Sequence, residues 1–450
     1  MFAIKRRAAY AILTGAAGLF CSDFAWAVLP IQHWTQPSGA QVFLVESPTI
    51  PMVDVRLEWD GGSRRDPADQ AGLVSAMAGA MGDGVRATAQ EPALDENALG
   101  EAWADLGASF GGSASADRLT FSLRSLTYPD LLAKAVALAA RQLAEPAFPE
   151  ALWLRDRPKV IASLKEAQTR PGNVAAKAFS KAVYGSHPYG AETTEASLLR
   201  IGVADMAALH AQLLRPCRAK VSLVGALNRA QVDAMVAQLL ARLPQGECSA
   251  LPGVPEVAPL TQAQQQDIAF DAAQAQVLMG QPGYPRRDPD HFALVVGNHI
   301  LGGGGFTSRL TTEVREKRGL TYSVYSYFAP GLHAGAFTVG LQTRPDQAQQ
   351  ALALVREVVA RFVAEGPTEK ELKAAKDNLI GGFPLLLDGN RKLLENVANI
   401  AWNGLPLDYL DTWTQQINRL TVADIRAAFG RKLQPEKMVT VVLGAQIAGK

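Results

Sequence analysis

Hydrophobic and polar positions change period several times along the chain, and each change marks an element. Val42 to Val45 is a short apolar run and Val53 to Trp59 alternates, so the two predict neighbouring strands. Leu131 to Leu143 carries apolar residues at helical spacing, and Val355, Val358, Val359 and Phe362 make the corresponding stripe later in the chain. Another helix is expected from Thr421, with Asp424 three residues on in a capping-box arrangement. Strands and helices grouped in this way predict an α+β fold, a mostly antiparallel sheet with helices packed on it.

The chain is also similar to itself. Val203-Ala204-Asp205-Met206, followed by Val221-Ser222-Leu223-Val224-Gly225-Ala226, recurs as Val422-Ala423-Asp424-Ile425, followed by Thr440-Val441-Val442-Leu443-Gly444-Ala445, a shift of 219 in both pieces (203 to 422, 221 to 440). Leu119-Thr120-Phe121-Ser122-Leu123 with Pro129-Asp130 matches Phe337-Thr338-Val339-Gly340-Leu341 with Pro345-Asp346 at shifts of 218 and 216. Ordered matches at nearly one offset predict two homologous domains, 28–246 and 267–450. The stretch 247–266, with Pro252, Pro255 and Pro259, has linker composition.

The first residues have another pattern: Lys5, Arg6 and Arg7, then 13 apolar-rich positions from Ala8 to Phe20, then Ala25-Trp26-Ala27. This predicts a secretory signal cleaved after Ala27, because spanning a bilayer takes about 20 apolar residues. Bulky Phe20 before Cys21 argues against a lipoprotein. A periplasmic mature chain without membrane insertion is expected.

Charge removes one class of partner. The 450 residues hold 44 Lys plus Arg against 43 Asp plus Glu, with no basic run, so no nucleic-acid partner is expected. Three cysteines without a C-x-x-C pair exclude a disulfide-built scaffold and a zinc ribbon. Cys217 precedes a predicted strand and Cys248 follows the helix after it, places that adjoin in a compact half. A Cys217–Cys248 disulfide is predicted, the alternative being two unpaired side chains. All six histidines (33, 187, 210, 291, 299, 333) are isolated in sequence, and His187 before Pro188 reads as a structural turn residue. The glycine run Gly302, Gly303, Gly304, Gly305 lacks the Gly-Lys-Ser/Thr ending of a phosphate loop and reads as a helix-start loop.

Several strings together carry a resemblance. They are Gly61-Gly62-Ser63-Arg64, Ala71-Gly72-Leu73 and Tyr184-Gly185-Ser186-His187-Pro188-Tyr189-Gly190, then Leu301 through the glycine run to Phe306-Thr307-Ser308-Arg309-Leu310, and Glu313-Val314-Arg315-Glu316-Lys317-Arg318-Gly319-Leu320-Thr321-Tyr322. On these residues the chain resembles the M16 metallopeptidases, the insulinase, pitrilysin and mitochondrial-processing-peptidase group, over nearly all of its mature length.

The resemblance implies two M16-type domains and a site split between them. Peptide-cleaving members carry H-x-x-E-H on the first helix, two histidine zinc ligands beside a glutamate base. The matching residues here are Ser75-Ala76-Met77-Ala78-Gly79, in which Ser75, Ala78 and Gly79 keep one helical face but supply no imidazole or carboxylate. The family's further glutamate falls near Ala162 and Ser163, and Glu166 close by cannot hold zinc alone. No catalytic residue, metal or cofactor of its own is therefore expected.

The second half keeps its part. Arg315 and Tyr322, seven residues apart, match an arginine and a tyrosine that in active members reach toward the substrate backbone. The expected local structure is a helix ending at Gly319 and a strand from Thr321 to Phe328. On the residues alone, Arg315 reads as a solvated helix residue and Tyr322 as a packing aromatic. The resemblance makes the glycine run a mobile loop at the mouth of a substrate chamber. It implies a non-catalytic subunit that binds unfolded peptide beside an active M16 partner carrying H-x-x-E-H and its zinc. The alternative within the same family is a purely structural assembly protein.

Overall fold

The computed structural model describes residues 30–246 and 248–445, so the expected signal segment and its cleavage after Ala27 lie outside the described residues. The first half contains β1 (Gln32–Thr35), β2 (Gln41–Glu46), β3 (Met52–Asp60), β4 (Gly84–Val85), β5 (Leu94–Asp95), β6 (Ser109–Ala114), β7 (Arg118–Leu126) and β8 (Lys220–Gly225). The second contains β9 (Gln264–Ile268), β10 (Ala275–Pro282), β11 (Ser323–Phe328), β12 (Ala336–Thr343) and β13 (Val439–Leu443). Six strands make one sheet in the order β1-β2-β8-β3-β7-β6, and five make another in the order β11-β12-β10-β13-β9. Pairing in both is antiparallel except for β2 with β8 and β9 with β13. The fold is α+β, as the pattern predicts.

Two expectations need correction. β2 and β3 are not neighbours, because β8 lies between them and pairs with both. That strand is buried along all but its first residue, so a central place, covered on both faces, suits it better than an edge. The linker is also shorter than 247–266: Gln264 to Gln266 already belong to β9, whose proline-free backbone ladders onto β13.

The sheets set the core. Val53, Val55, Leu57 and Trp59 of β3 and Leu119, Phe121 and Leu123 of β7 bury one face beneath helices that include Pro129–Ala144. Alternation sends Asp54, Arg56 and Glu58 of β3, with Arg118, Thr120, Ser122 and Arg124 of β7, to the opposite, inner face.

Each inner face is partly covered by a helix from the other half. The helix Pro171–Tyr184 places Ala175, Phe179 and Val183 against Val439, Val441 and Leu443 of β13. In return, Asn390–Asn403 places Leu393, Val397, Ile400 and Ala401 against Phe43 and Val45 of β2 and Val224 of β8. Their starts are also 219 positions apart (171 to 390), so the exchange follows the repeat. Gly280 makes one contact possible: a Cβ there would stand 1.9 Å from the Phe337 carbonyl oxygen and 2.9 Å from the Phe179 ring. Lys220 Nζ accommodates the other helix's C-terminal end, donating to the carbonyls of Ala401 (2.8 Å) and Trp402 (3.0 Å), where the helix dipole favours a cation.

Candidate functional site

The helix Leu73–Ala80 follows Gly72, whose φ of 103° suits glycine. Asp66 holds its first turn, accepting from Gly72 N at 2.8 Å and Val74 N at 2.9 Å. Ser75 and Gly79 are exposed, one turn apart, whereas Ala78 is buried at 3% exposure. Only two of the three positions expected on one face share the open side. The third tucks under β6, where Gly112 permits close approach: a Cβ there would stand 3.0 Å from the Ala78 carbonyl oxygen. One hydroxyl among Ser75, Ala78 and Gly79 does not fit a zinc ion. Ala162 and Ser163 are exposed on the helix Glu150–Ala167, and Glu166 is held by Arg170 at 2.5 Å. Among the described residues no group of three or more His, Cys, Asp or Glu is placed to hold a metal ion.

Beside this helix, β6 is an edge strand. Its residues alternate between exposed and half-buried, with Ser109, Gly111 and Ser113 exposed. Sequence reasoning missed it because Ser-Phe-Gly-Gly-Ser-Ala is a weak strand signal; its partner β7 supplies the order.

The glycine run is more structured than a loop. His299–Gly303 forms a π-helical turn continuing the helix His291–Asn298, and Gly302 is buried where a Cβ would stand 2.5 Å from Ser326 N. Only Gly305, with φ of 60°, starts a fresh turn, Gly305–Thr307. Just beyond that turn, Arg309 anchors the chain by donating to both oxygens of Glu371 (2.6 and 2.7 Å) and to the Gly366 carbonyl (3.0 Å).

Arg315 lies in a π-helical segment, Thr311–Glu316, and the turn closes at Gly319, whose φ is 61° and whose N–H donates to the Arg315 carbonyl at 2.9 Å. The strand starts at Ser323 rather than Thr321, because Thr321 Oγ1 accepts from Ser323 N and donates to the Gln342 carbonyl, making a turn of its own. Tyr322, in that turn, is 83% exposed. The fold brings the two residues together. The Arg315 guanidinium carbon is 5.3 Å from the Tyr322 ring centroid and 4.7 Å from that of Phe306, an exposed aromatic that the sequence alone does not single out. Among the described residues this guanidinium makes no hydrogen bond or ion pair, and none of these contacts joins the group to residues 75–79. Its N–H donors thus have no protein acceptor among the described residues.

Two histidines isolated in sequence meet at the seam between the halves. His187 and His333 have ring centroids 5.4 Å apart. His187 accepts from Tyr189 N at 3.1 Å and so donates through Nε2 to the Pro255 carbonyl at 2.9 Å, while His333 faces Glu256 at 3.0 Å. Burial lowers the His187 pKa. With both ring nitrogens engaged, His187 is structural. Nearby, Asp117 accepts from Arg64 (2.8 Å), Tyr189 (2.7 Å) and the Leu332 backbone (3.0 Å), so the strings around Arg64 and Tyr189 converge on a latch between halves. Cys217 and Cys248 are joined in a disulfide, with Cα atoms 6.1 Å apart.

Comparison with known proteins agrees with this architecture. Residues 200–379 match the family model described as "Peptidase M16 inactive domain". The crystal structure of a peptidase M16 inactive domain from Pseudomonas fluorescens is 35% identical, covers 94% of this chain and 99% of its own, and superposes with a TM-score of 0.87. The Helicobacter pylori "Non-peptidase homolog YmxG" is 26% identical over 393 residues, 85% of this chain and 87% of its own. The periplasmic protease PqqL of Escherichia coli shares the fold at 20% identity and a TM-score of 0.78, with this chain matching 46% of its length.

Proposed function

The chain belongs to the M16 peptidase family, and from that premise we propose that it is a non-catalytic subunit of a heteromeric zinc peptidase. A separate M16 chain with H-x-x-E-H supplies zinc and general base. This chain supplies Arg315, Tyr322 and a wall of the chamber around an unfolded peptide. The observation that carries this reading is the state of Arg315: it lies between two exposed aromatics, without a protein acceptor among the described residues, in a chain whose own first-helix position does not fit zinc. A guanidinium and a phenol so placed suit peptide carbonyls and the charge that develops on an attacked one. The free edge of β6 supports the same reading, since an extended peptide can add to it as a further strand. Export to the periplasm, with the signal removed after Ala27, belongs to this proposal.

The test is capture of the tagged chain from its native periplasm, followed by metal analysis and peptidase assay of the complex. A co-purifying M16 chain bearing zinc and H-x-x-E-H, whose activity falls when Arg315 is replaced, is the expected result. A complex whose activity ignores both Arg315 and Tyr322 would leave a structural scaffold as the better description.

A further inference from the structure

The part of the first sheet's inner face left open by the helix Asn390–Asn403 floors a cleft of about 580 Å³, roofed by the second-half segment 329–335. Among the charged side chains that line it, Asp117, Glu58 and Arg118 are paired and Arg56 is not. Arg118 donates to Glu58 Oε1 at 2.9 Å, and next to the cleft on the same face Arg124 spans Asp54 through two hydrogen bonds (2.7 and 3.1 Å). Arg56 sits between these pairs, opposite Ser122 on one side and Ser222 on the other, and forms no hydrogen bond or ion pair among the described residues. Its Nε is shut away from solvent without a partner.

Two further orphans adjoin it. Glu58, 1% exposed, leaves Oε2 unpartnered, and Ser222, fully buried, leaves Oγ unpartnered. Buried polar atoms without partners are uncommon in folded proteins. Three on neighbouring positions of β3 and β8 mark a place built to receive a polar group.

The sign of that group comes from the charges. Arg56, Arg118 and Lys220 all act on Glu58, while Asp117, the cleft's other carboxylate, is taken up by Arg64, Tyr189 and the Leu332 backbone. Burial pushes the Glu58 carboxyl up from its ordinary range against their pull. A planar guanidinium with no internal partner matches the two oxygens of a carboxylate.

We propose that this cleft is a carboxylate-binding subsite, with Arg56 as its principal contact, that takes an acidic group of an extended peptide. The group is either a free C-terminus or an Asp or Glu side chain. The proposal deepens the subunit reading and rests on it only for the ligand being a peptide.

Calorimetric titration of the purified full chain, without any partner, tests it. The probes are an acetylated tetra-alanine as free acid and as amide, and two acetylated tetrapeptide amides differing only by Glu or Gln at the third position. At least one acid should bind about tenfold more tightly than its neutral twin, the alanine pair reporting a C-terminal and the Glu/Gln pair a side-chain source. Arg56→Gln should remove the preference, Arg56→Lys should keep part of it, and Arg344→Gln, on the exposed surface, should keep it whole. Equal binding of acid and neutral twins, no binding of any probe, or an unchanged preference in Arg56→Gln overturns the proposal. If Arg56→Gln does not fold, Arg56→Lys decides, since full retention of preference would show that the guanidinium fork is not the contact. Because no partner is present, failure here is separable from failure of the subunit reading, which is measured by the partner's rate.

Discussion

The guanidinium of Arg315 lies over the ring of Tyr322, 5.3 Å from its centroid, and the chain between them turns at Gly319 with φ of 61°. The pair is therefore set by a glycine-dependent turn and not by a shared helix face. Two functional groups are held at the surface with little buried area, so either can be removed at small cost to the fold.

Arg315→Ala and Tyr322→Phe should accordingly fold and assemble as the parent chain does, with stability changed by about 1 kcal/mol or less. In a reconstituted complex each should lower the partner's peptidase kcat by on the order of a hundredfold, the usual loss of one donor at a developing oxyanion. Steady-state kinetics on the complex decides: a rise in KM at constant kcat would mean that the pair binds peptide equally in ground and transition states.

The Arg309–Glu371 pair gives a signature in acid. Burial raises the Glu371 pKa, but the two Arg309 hydrogen bonds and those from Thr368 outweigh it and hold the carboxyl at about 2 against an ordinary 4.5. The folded value is the lower one, so the stabilisation is complete above pH 4.5 and is lost as pH falls toward 2. Glu371→Gln should lower neutral stability by about 1.5–3 kcal/mol and flatten the decline of Tm across that window. Melting curves that stay parallel in the two proteins down to the acid limit would contradict this.

Separating the halves should unfold both. A chain ending at residue 263 lacks the helix that covers β2 and β8, and a chain starting at 264 lacks the one that covers β10 and β13. Phe179 illustrates the scale, since removing a buried phenylalanine side chain costs about 3–5 kcal/mol. Co-expression should restore a folded pair, visible as a single cooperative melt; cooperative melting of either half alone would count against the exchange as a stability element.

Opening the Cys217–Cys248 disulfide, which closes a loop spanning 31 positions, should destabilise by about 3 kcal/mol in the chain-entropy model. Cys217→Ser with Cys248→Ser, compared by chemical denaturation with the unreduced parent, measures it. Two thiols titrating in unreduced, denatured parent protein would remove the basis of the prediction.

Legibility in the sequence depended on range. The helix at Thr421 and the repeat were legible because capping and apolar spacing are local: Thr421 accepts from Asp424 N at 3.2 Å, and the repeated segments form equivalent strands and helices. The insertion of β8 between β2 and β3 was not, since alternation names a strand's faces and not its neighbours. The stripe of Ala175, Phe179 and Val183 likewise announces a buried helix without saying which sheet buries it. At the candidate site, Arg315 and Tyr322 stood out only through the family strings. Phe306 lay inside a family string without a role of its own and Arg56 carried no signal, because an exposed aromatic and an unpaired arginine show their part only when their surroundings are known.

The exchanged helices also limit how this molecule can move. Swinging one half away from the other would drag Phe179 off β13 and Val397 off β2 and β8 together, baring two apolar surfaces at once. A clasp engaged from both sides makes opening costly, since both apolar surfaces must lose their cover in the same step. In an assembly of the kind proposed, a gate admitting peptide would then be a joint between separate molecules, and the rate of peptide entry would be a property of the assembly, tunable by surfaces far from Arg315 and Arg56.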